Sequence, residues 1–274
     1  MPESFTEVHH ALLFGWIGRA VCEAAGAETG VASASRASGI ASASRASGIA
    51  SASRASGTAV MRIAVKKYGQ ERGRRMALRA RANGHALSLA AYFNYGEWKA
   101  SPPDVLPEGC SAWTQQAQWV EKAPRAHERI TRCPWHEAWK ANGLLAVGQL
   151  YCQEIDGALV SGFNPALAVD VLATLSSGAA ACEFIFHDAK PIQPDSLTAG
   201  QKPVLQPGQP TQMPWDYHAG HLFATLEKVI AAELGEAGRA AAQAGLDEFA
   251  RHFGEQAAGR VLAYRSVDFD RLPG

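Results

Sequence analysis

The sequence has few of the features that would settle its class at once. Its 274 residues include only five cysteines, Cys22, Cys110, Cys133, Cys152 and Cys182. The number is odd and no two are spaced Cys-x-x-Cys, which speaks against a disulfide framework or a zinc ribbon. Reduced thiols in a cytoplasmic protein are the simpler expectation. Net charge is also missing, because 26 Lys and Arg balance 26 Asp and Glu. No global field draws such a chain to phosphate, so nucleic acid is not an expected partner. There is no run of about 18 or more uncharged apolar residues, and residues 1–8 are acidic rather than basic. Neither a membrane span nor a secretory leader is expected. No glycine-rich dinucleotide or phosphate loop is found.

What is present is a chain with 47% hydrophobic residues, enough for a full core and unlike disorder. Residues 8–25 space Leu12, Leu13, Trp16, Ile17, Ala20 and Val21 on one helical face. Residues 32–58 are three copies of a nine-residue unit, ASASRASGI twice and then ASASRASGT. Each copy offers at most one large apolar side chain. It reads as a flexible tandem insertion rather than as a solenoid or an arm, and its deletion should have little effect. Residues 59–82 should be a helix, with Gly69 and Gly73 one turn apart to allow close packing. Its basic residues, Arg62, Lys66, Lys67, Arg72, Arg74, Arg75, Arg79 and Arg81, fit either a solvated face or a holder for an anionic substrate.

A further amphipathic stretch spans 85–98. Strand-like alternation follows at 112–122 and 125–133, then a helix over 135–160 with a break near Asn142-Gly143. A second strand pair is expected at 166–175 and 181–187. Residues 189–215 hold six prolines and read as an extended connection. Asp216 is a candidate cap for a helix to Leu234, a last helix runs over 236–253, and the tail from Val261 is irregular. The order predicts a single-domain α+β fold, an antiparallel sheet of about four strands flanked by N-terminal and C-terminal helices.

Three constellations could carry chemistry. Cys152 and Asp156 share a helical face at i, i+4, and Asn164 follows where Pro165 ends the helix. A carboxylate alone would raise the thiol's pKa, so a nucleophilic Cys152 needs a histidine from elsewhere, and a small core residue is the alternative. His218 and His221 lie three apart at a helix start, suited to metal ligation, general base work or plain packing. Cys133 and Glu137 sit at a strand-to-helix junction. In Cys182-Glu183 the two side chains should face opposite sides of a strand. Core use is the default for Cys133 and Cys182.

Several short motifs, taken in order, resemble the L-2-amino-thiazoline-4-carboxylic acid hydrolase family. They are Tyr68-Gly69 with Glu71-Arg72-Gly73-Arg74-Arg75, Cys133-Pro134-Trp135 with Glu137, Tyr151-Cys152 with Asp156, Phe163-Asn164-Pro165, and Gly178 with Cys182-Glu183-Phe184. The His218/His221 pair completes the set. The Gly178 to Phe184 portion is also similar to ligand-binding domains of the vinyl-reductase and trafficking-particle type. The resemblance implies a hydrolase of small cyclic amidines or amides, converting the thiazoline to N-carbamoyl-L-cysteine. It implies Asp156 on the amidinium, His218 or His221 as general base, and Arg72 or Arg75 on the substrate carboxylate. Cys152 becomes a nucleophile or a structural thiol, with Asn164 and Glu137 as further substrate contacts. The alternative is a non-catalytic small-molecule-binding module on the same fold. No cofactor is evident, and a divalent metal and a homo-oligomer are both left open.

Overall fold

The computed structural model describes residues 5–34, 44–97, 115–123, 125–188 and 213–272. Its elements are α1 (Glu7–Ala34), α2 (Ser44–Ala82), α3 (Leu89–Asn94), β1 (Gln116–Glu121), β2 (Ala126–Arg132), α4 (Pro134–Ala141), α5 (Leu145–Phe163), β3 (Ala168–Ala173), β4 (Cys182–His187), α6 (Trp215–Phe253) and α7 (Glu255–Leu262). The sheet is antiparallel in the order β1-β2-β4-β3. The fold is α+β, as the order of patterns predicts.

Local chemistry sets most of the boundaries. Pro134 begins α4, where its missing N–H is no loss. Asn164 is extended (φ −152°, ψ 117°) before Pro165 and ends α5. Residues 142–144 separate α4 from α5 at the expected place. Gly235 adopts φ 60° and ψ −136° inside α6, so the C-terminal helical stretch is kinked between the two predicted halves.

Three expectations need correction. Pro214 rather than Asp216 is the cap of α6, and Asp216 sits in its first turn, paired with Arg260 at 2.7 Å. The tail is not irregular throughout, because α7 reaches Leu262. The 85–98 stretch yields only the short α3, which Ser88 caps by accepting a hydrogen bond from the Ala91 N–H. The expected extended connection at 189–215 lies almost wholly outside the described residues. So does the join between α1 and α2 within the repeat; the repeat's later part, from Ser44, is helical and continues into α2.

The core forms where α1 packs on α2 and α6, and α2 packs on α5. Leu12, Leu13, Phe14, Trp139, Trp215 and Phe223 are nearly or wholly inaccessible there, each contributing about 1.5–3 kcal/mol of apolar burial. The α2–α5 contact is unusually close. A Cβ at Gly73 would lie 2.2 Å from the Leu159 carbonyl oxygen, and one at Gly162 would lie 2.6 Å from Gln70 Cα. Gly69 faces Ala158 in the same way. On β4, Cys182, Phe184 and Phe186 face inward, while Glu183 turns outward to His127 and Arg129, as strand alternation requires.

Candidate active site

A cavity of about 130 Å³ opens between the inner face of the sheet and helices α2 and α5. That space accommodates on the order of ten water-sized groups, the scale of a small metabolite. Its walls are largely aromatic and aliphatic, with a few polar groups set among them, including Arg72, Glu128, Asp156 and Thr174. Each polar group has a clear structural origin. Arg72 comes from the inner face of α2, brought close by the glycine contact with α5. Asp156 and Cys152 come from successive turns of α5. Glu128 comes from β2, on the same side as Ala126 and Ile130.

The electrostatics single out Asp156. Burial, and then the neighbouring Glu128 carboxylate, push its pKa up to about 7, against the pull of Arg72. Part of its surface stays open to the cavity. A carboxyl group poised near neutrality gives and takes a proton at little energetic cost.

Cys152 shares this space, where a hydrogen bond with Ser176 favours its thiolate but is outweighed. Burial raises its pKa well above normal, and Cys133, Asp156 and Cys182 push the same way. Burial likewise lifts Cys133 to about 11 and Cys182 to about 12. All three line the cavity as thiols.

The other expected site residues lie elsewhere. His218 and His221 are fully buried behind α2 and do not line the cavity. His221 Nε2 donates to Glu71 at 3.2 Å, while its ring stacks on Phe269 at 4.0 Å between centroids. Burial outweighs Glu71 and lowers the His221 pKa to about 4, and burial drives His218 well below the usual value. Arg75 is committed to a buried ion pair with Glu97 at 3.1 Å and to the carbonyls of Phe269 and Arg271. Arg79 completes that cluster at 2.9 Å. Although burial opposes it, the two guanidiniums pull Glu97 down to about 2. Glu137 is held by Arg132 at 2.8 Å on the surface, and the Asn164 amide donates to the Leu87 carbonyl at 2.6 Å. Only Arg72, Cys152 and Asp156 of the expected set meet in the cavity.

The basic stripe of α2 divides accordingly. Arg62 and Lys66 pair with Glu154, Lys67 with Glu71 and Arg74 with Asp270, all with the basic side chain near the surface. Arg72, Arg75 and Arg79, at i, i+3 and i+7, face inward.

A hydrogen-bonded chain links the cavity wall to the histidine cluster. Trp135, which lines the cavity, donates through Nε1 to His10 Nδ1 at 3.0 Å. An indole can only donate, so the His10 proton sits on Nε2 and is given to the Tyr68 hydroxyl at 2.9 Å. Tyr68 in turn donates to the His218 carbonyl at 3.4 Å.

Sequence reasoning missed Glu128 and His10 and underweighted Cys133 and Cys182. Glu128 left a signal, a charge alternating with Ala126 and Ile130 on the apolar side of a strand. His10 left none, because its partners are 58 and 125 residues away.

Among the described residues no group of three or more His, Cys, Asp or Glu is arranged to hold a metal ion, and no helix is long and apolar enough to cross a membrane. A family model described as L-2-amino-thiazoline-4-carboxylic acid hydrolase matches residues 33–186, more than half of the chain. That range contains Arg72, Glu128, Cys133, Cys152, Asp156 and Cys182 and ends before His218 and His221. No curated protein and no solved structure matches the chain.

Proposed function

The chain belongs to the L-2-amino-thiazoline-4-carboxylic acid hydrolase family, and from that premise we propose that it opens a small cyclic amidine ring with Asp156 as the proton carrier. The observation that supports this most is a carboxyl group near neutrality inside a cavity of metabolite size, with one carboxylate and one guanidinium as neighbours.

In this reading the substrate is L-2-amino-thiazoline-4-carboxylate. Arg72 holds its carboxylate by a charge-assisted hydrogen bond, and Glu128 faces the amidinium. Water adds to the amidine carbon and passes a proton to the Asp156 carboxylate, while the amidinium charge is quenched on nitrogen. The tetrahedral adduct then collapses. The carbon–sulfur bond breaks, its electron pair goes to sulfur, and Asp156 returns the proton there. The adduct hydroxyl passes its proton to the Glu128 carboxylate, and from there to solvent, as the carbonyl forms, leaving N-carbamoyl-L-cysteine. Water, not Cys152, is the nucleophile, because burial, with Cys133, Asp156 and Cys182 pushing the same way, outweighs the Ser176 hydrogen bond and keeps that thiol protonated. The His218/His221 pair carries no step and shapes the far side of α2. The mostly apolar lining also fits a binding module, but a pure binder has no use for a carboxyl group raised to neutrality.

Thiol release from the thiazoline, followed with a thiol reagent, tests the reading. The purified protein should release thiol, and should prefer the substrate over 2-amino-thiazoline, which lacks the carboxylate. Arg72→Ala should erase most of that preference. Absence of thiol release from the unaltered protein overturns the proposal.

A further inference from the structure

Three of the four described cysteines, Cys133, Cys152 and Cys182, border one cavity. They arrive there from the residue capping α4, the middle of α5 and the start of β4. They are not paired in disulfides. We infer that these three thiols form a subsite for sulfur, receiving the ring sulfur of the substrate and stabilising it as it leaves. This rests on the hydrolase reading above and extends it to the choice of leaving group.

As the carbon–sulfur bond breaks, negative charge grows on a large, polarisable atom. The cavity already holds the Glu128 carboxylate, Arg72 is committed to the substrate carboxylate, and Asp156 carries only the one proton that the sulfur finally takes. The departing sulfur therefore needs donors that add no further negative charge. A thiol that stays protonated is a weak S–H donor with a soft, polarisable sulfur, matched to a thiolate better than to an alkoxide. The geometry leaves the donors available. Cys182 Sγ accepts the Leu175 N–H at 3.3 Å, so its lone pair is engaged and its S–H remains to be given. Cys152 has Ser176 as a hydrogen-bonding neighbour, and the first N–H groups of α4 favour electron density on the Cys133 sulfur. The bonds broken and formed are those of the hydrolysis itself. The thiols lend hydrogen bonds and transfer no proton.

The consequence is selectivity for ring sulfur over ring oxygen. The test compares 2-amino-thiazoline-4-carboxylate with 2-amino-oxazoline-4-carboxylate in the unaltered protein and in the folded double variant Cys133→Ala, Cys182→Ala. Because the intrinsic reactivity of the two rings cancels between proteins, the change in the kcat ratio reports the subsite. The variant should lose about tenfold of the sulfur preference, chiefly in kcat, while Cys22→Ala, on α1 and not lining the cavity, should leave the ratio unchanged. Calorimetric binding of N-carbamoyl-L-cysteine against N-carbamoyl-L-serine gives a second readout that does not depend on turnover. The sulfur compound should bind more tightly, and the double variant should lose that advantage. A variant that keeps both preferences overturns the subsite. If the unaltered protein opens neither ring, the hydrolase reading fails, and the binding pair alone decides: a sulfur preference lost in the variant supports the subsite, and no preference overturns it.

Discussion

Holding the Asp156 carboxyl near neutrality has a thermodynamic consequence. Its pKa rises from 3.8 to about 7 on folding, so between those values the folded protein binds more protons than the unfolded chain. This contribution to stability falls as pH rises from about 4 to about 7, and the loss persists above. Asp156→Asn should therefore stabilise the protein at pH 8, on the order of 2 kcal/mol with the open cavity side allowed for, and change little at pH 4. Denaturant titrations at the two pH values check this; stabilisation at pH 4 alone would contradict it. The thiols provide a second residue-scale prediction. Because burial holds Cys133, Cys152 and Cys182 protonated, iodoacetamide should alkylate them at pH 7 more slowly than a free cysteine in solution. Mass mapping of modified sites gives the outcome, and rapid labelling of Cys152 would restore it as a nucleophile.

Among the elements, the α2–α5 contact positions the chemistry, because it carries Arg72 on one side and Asp156 on the other. Gly73→Ala must displace the Leu159 carbonyl, only 2.2 Å from the new methyl group. It should cost roughly 1–3 kcal/mol of stability by overpacking and reduce turnover together with it; thermal unfolding and the thiol-release assay read the two effects. This contact was legible in the sequence, since Gly69 and Gly73 fall one turn apart on an apolar helix face. The strand pairs, the break after α4 and the Pro165 stop were legible for the same kind of reason, each being local chemistry. The grouping of side chains from distant elements was not. His218 and His221 satisfy a spacing rule, yet the rule does not reveal which side of α2 they meet. Arg72 and Arg75 are three residues apart and both buried, but one faces the cavity and the other faces Glu97. Composition weighs them equally, and only the packing of β2, α3 and the C-terminal tail separates them.

For the molecule as a whole, the Arg75–Glu97–Arg79 cluster ties α2 to the C-terminal tail through the Phe269 and Arg271 carbonyls. Glu97→Gln leaves two buried guanidiniums without their counter-charge and should cost about 3–5 kcal/mol, measured by denaturant unfolding near neutral pH. The depressed pKa of Glu97 means that its contribution is present above about 4.5 and is lost as pH falls towards 2. Deletion of residues 32–58 should change folding and turnover little, because it removes the close approach of Gly57 to Cys22 but none of the large apolar side chains of α2 in the core, which begin at Val60.

The most direct test of the central claim is the pH dependence of kcat/KM for thiazoline hydrolysis. With Asp156 as the base that activates water, kcat/KM should rise through a single ionisation near 7, and Glu128→Gln should move that midpoint to lower pH. Asp156→Asn should remove turnover at every pH. A folded Asp156→Asn protein that retains turnover with the same pH profile would contradict the account.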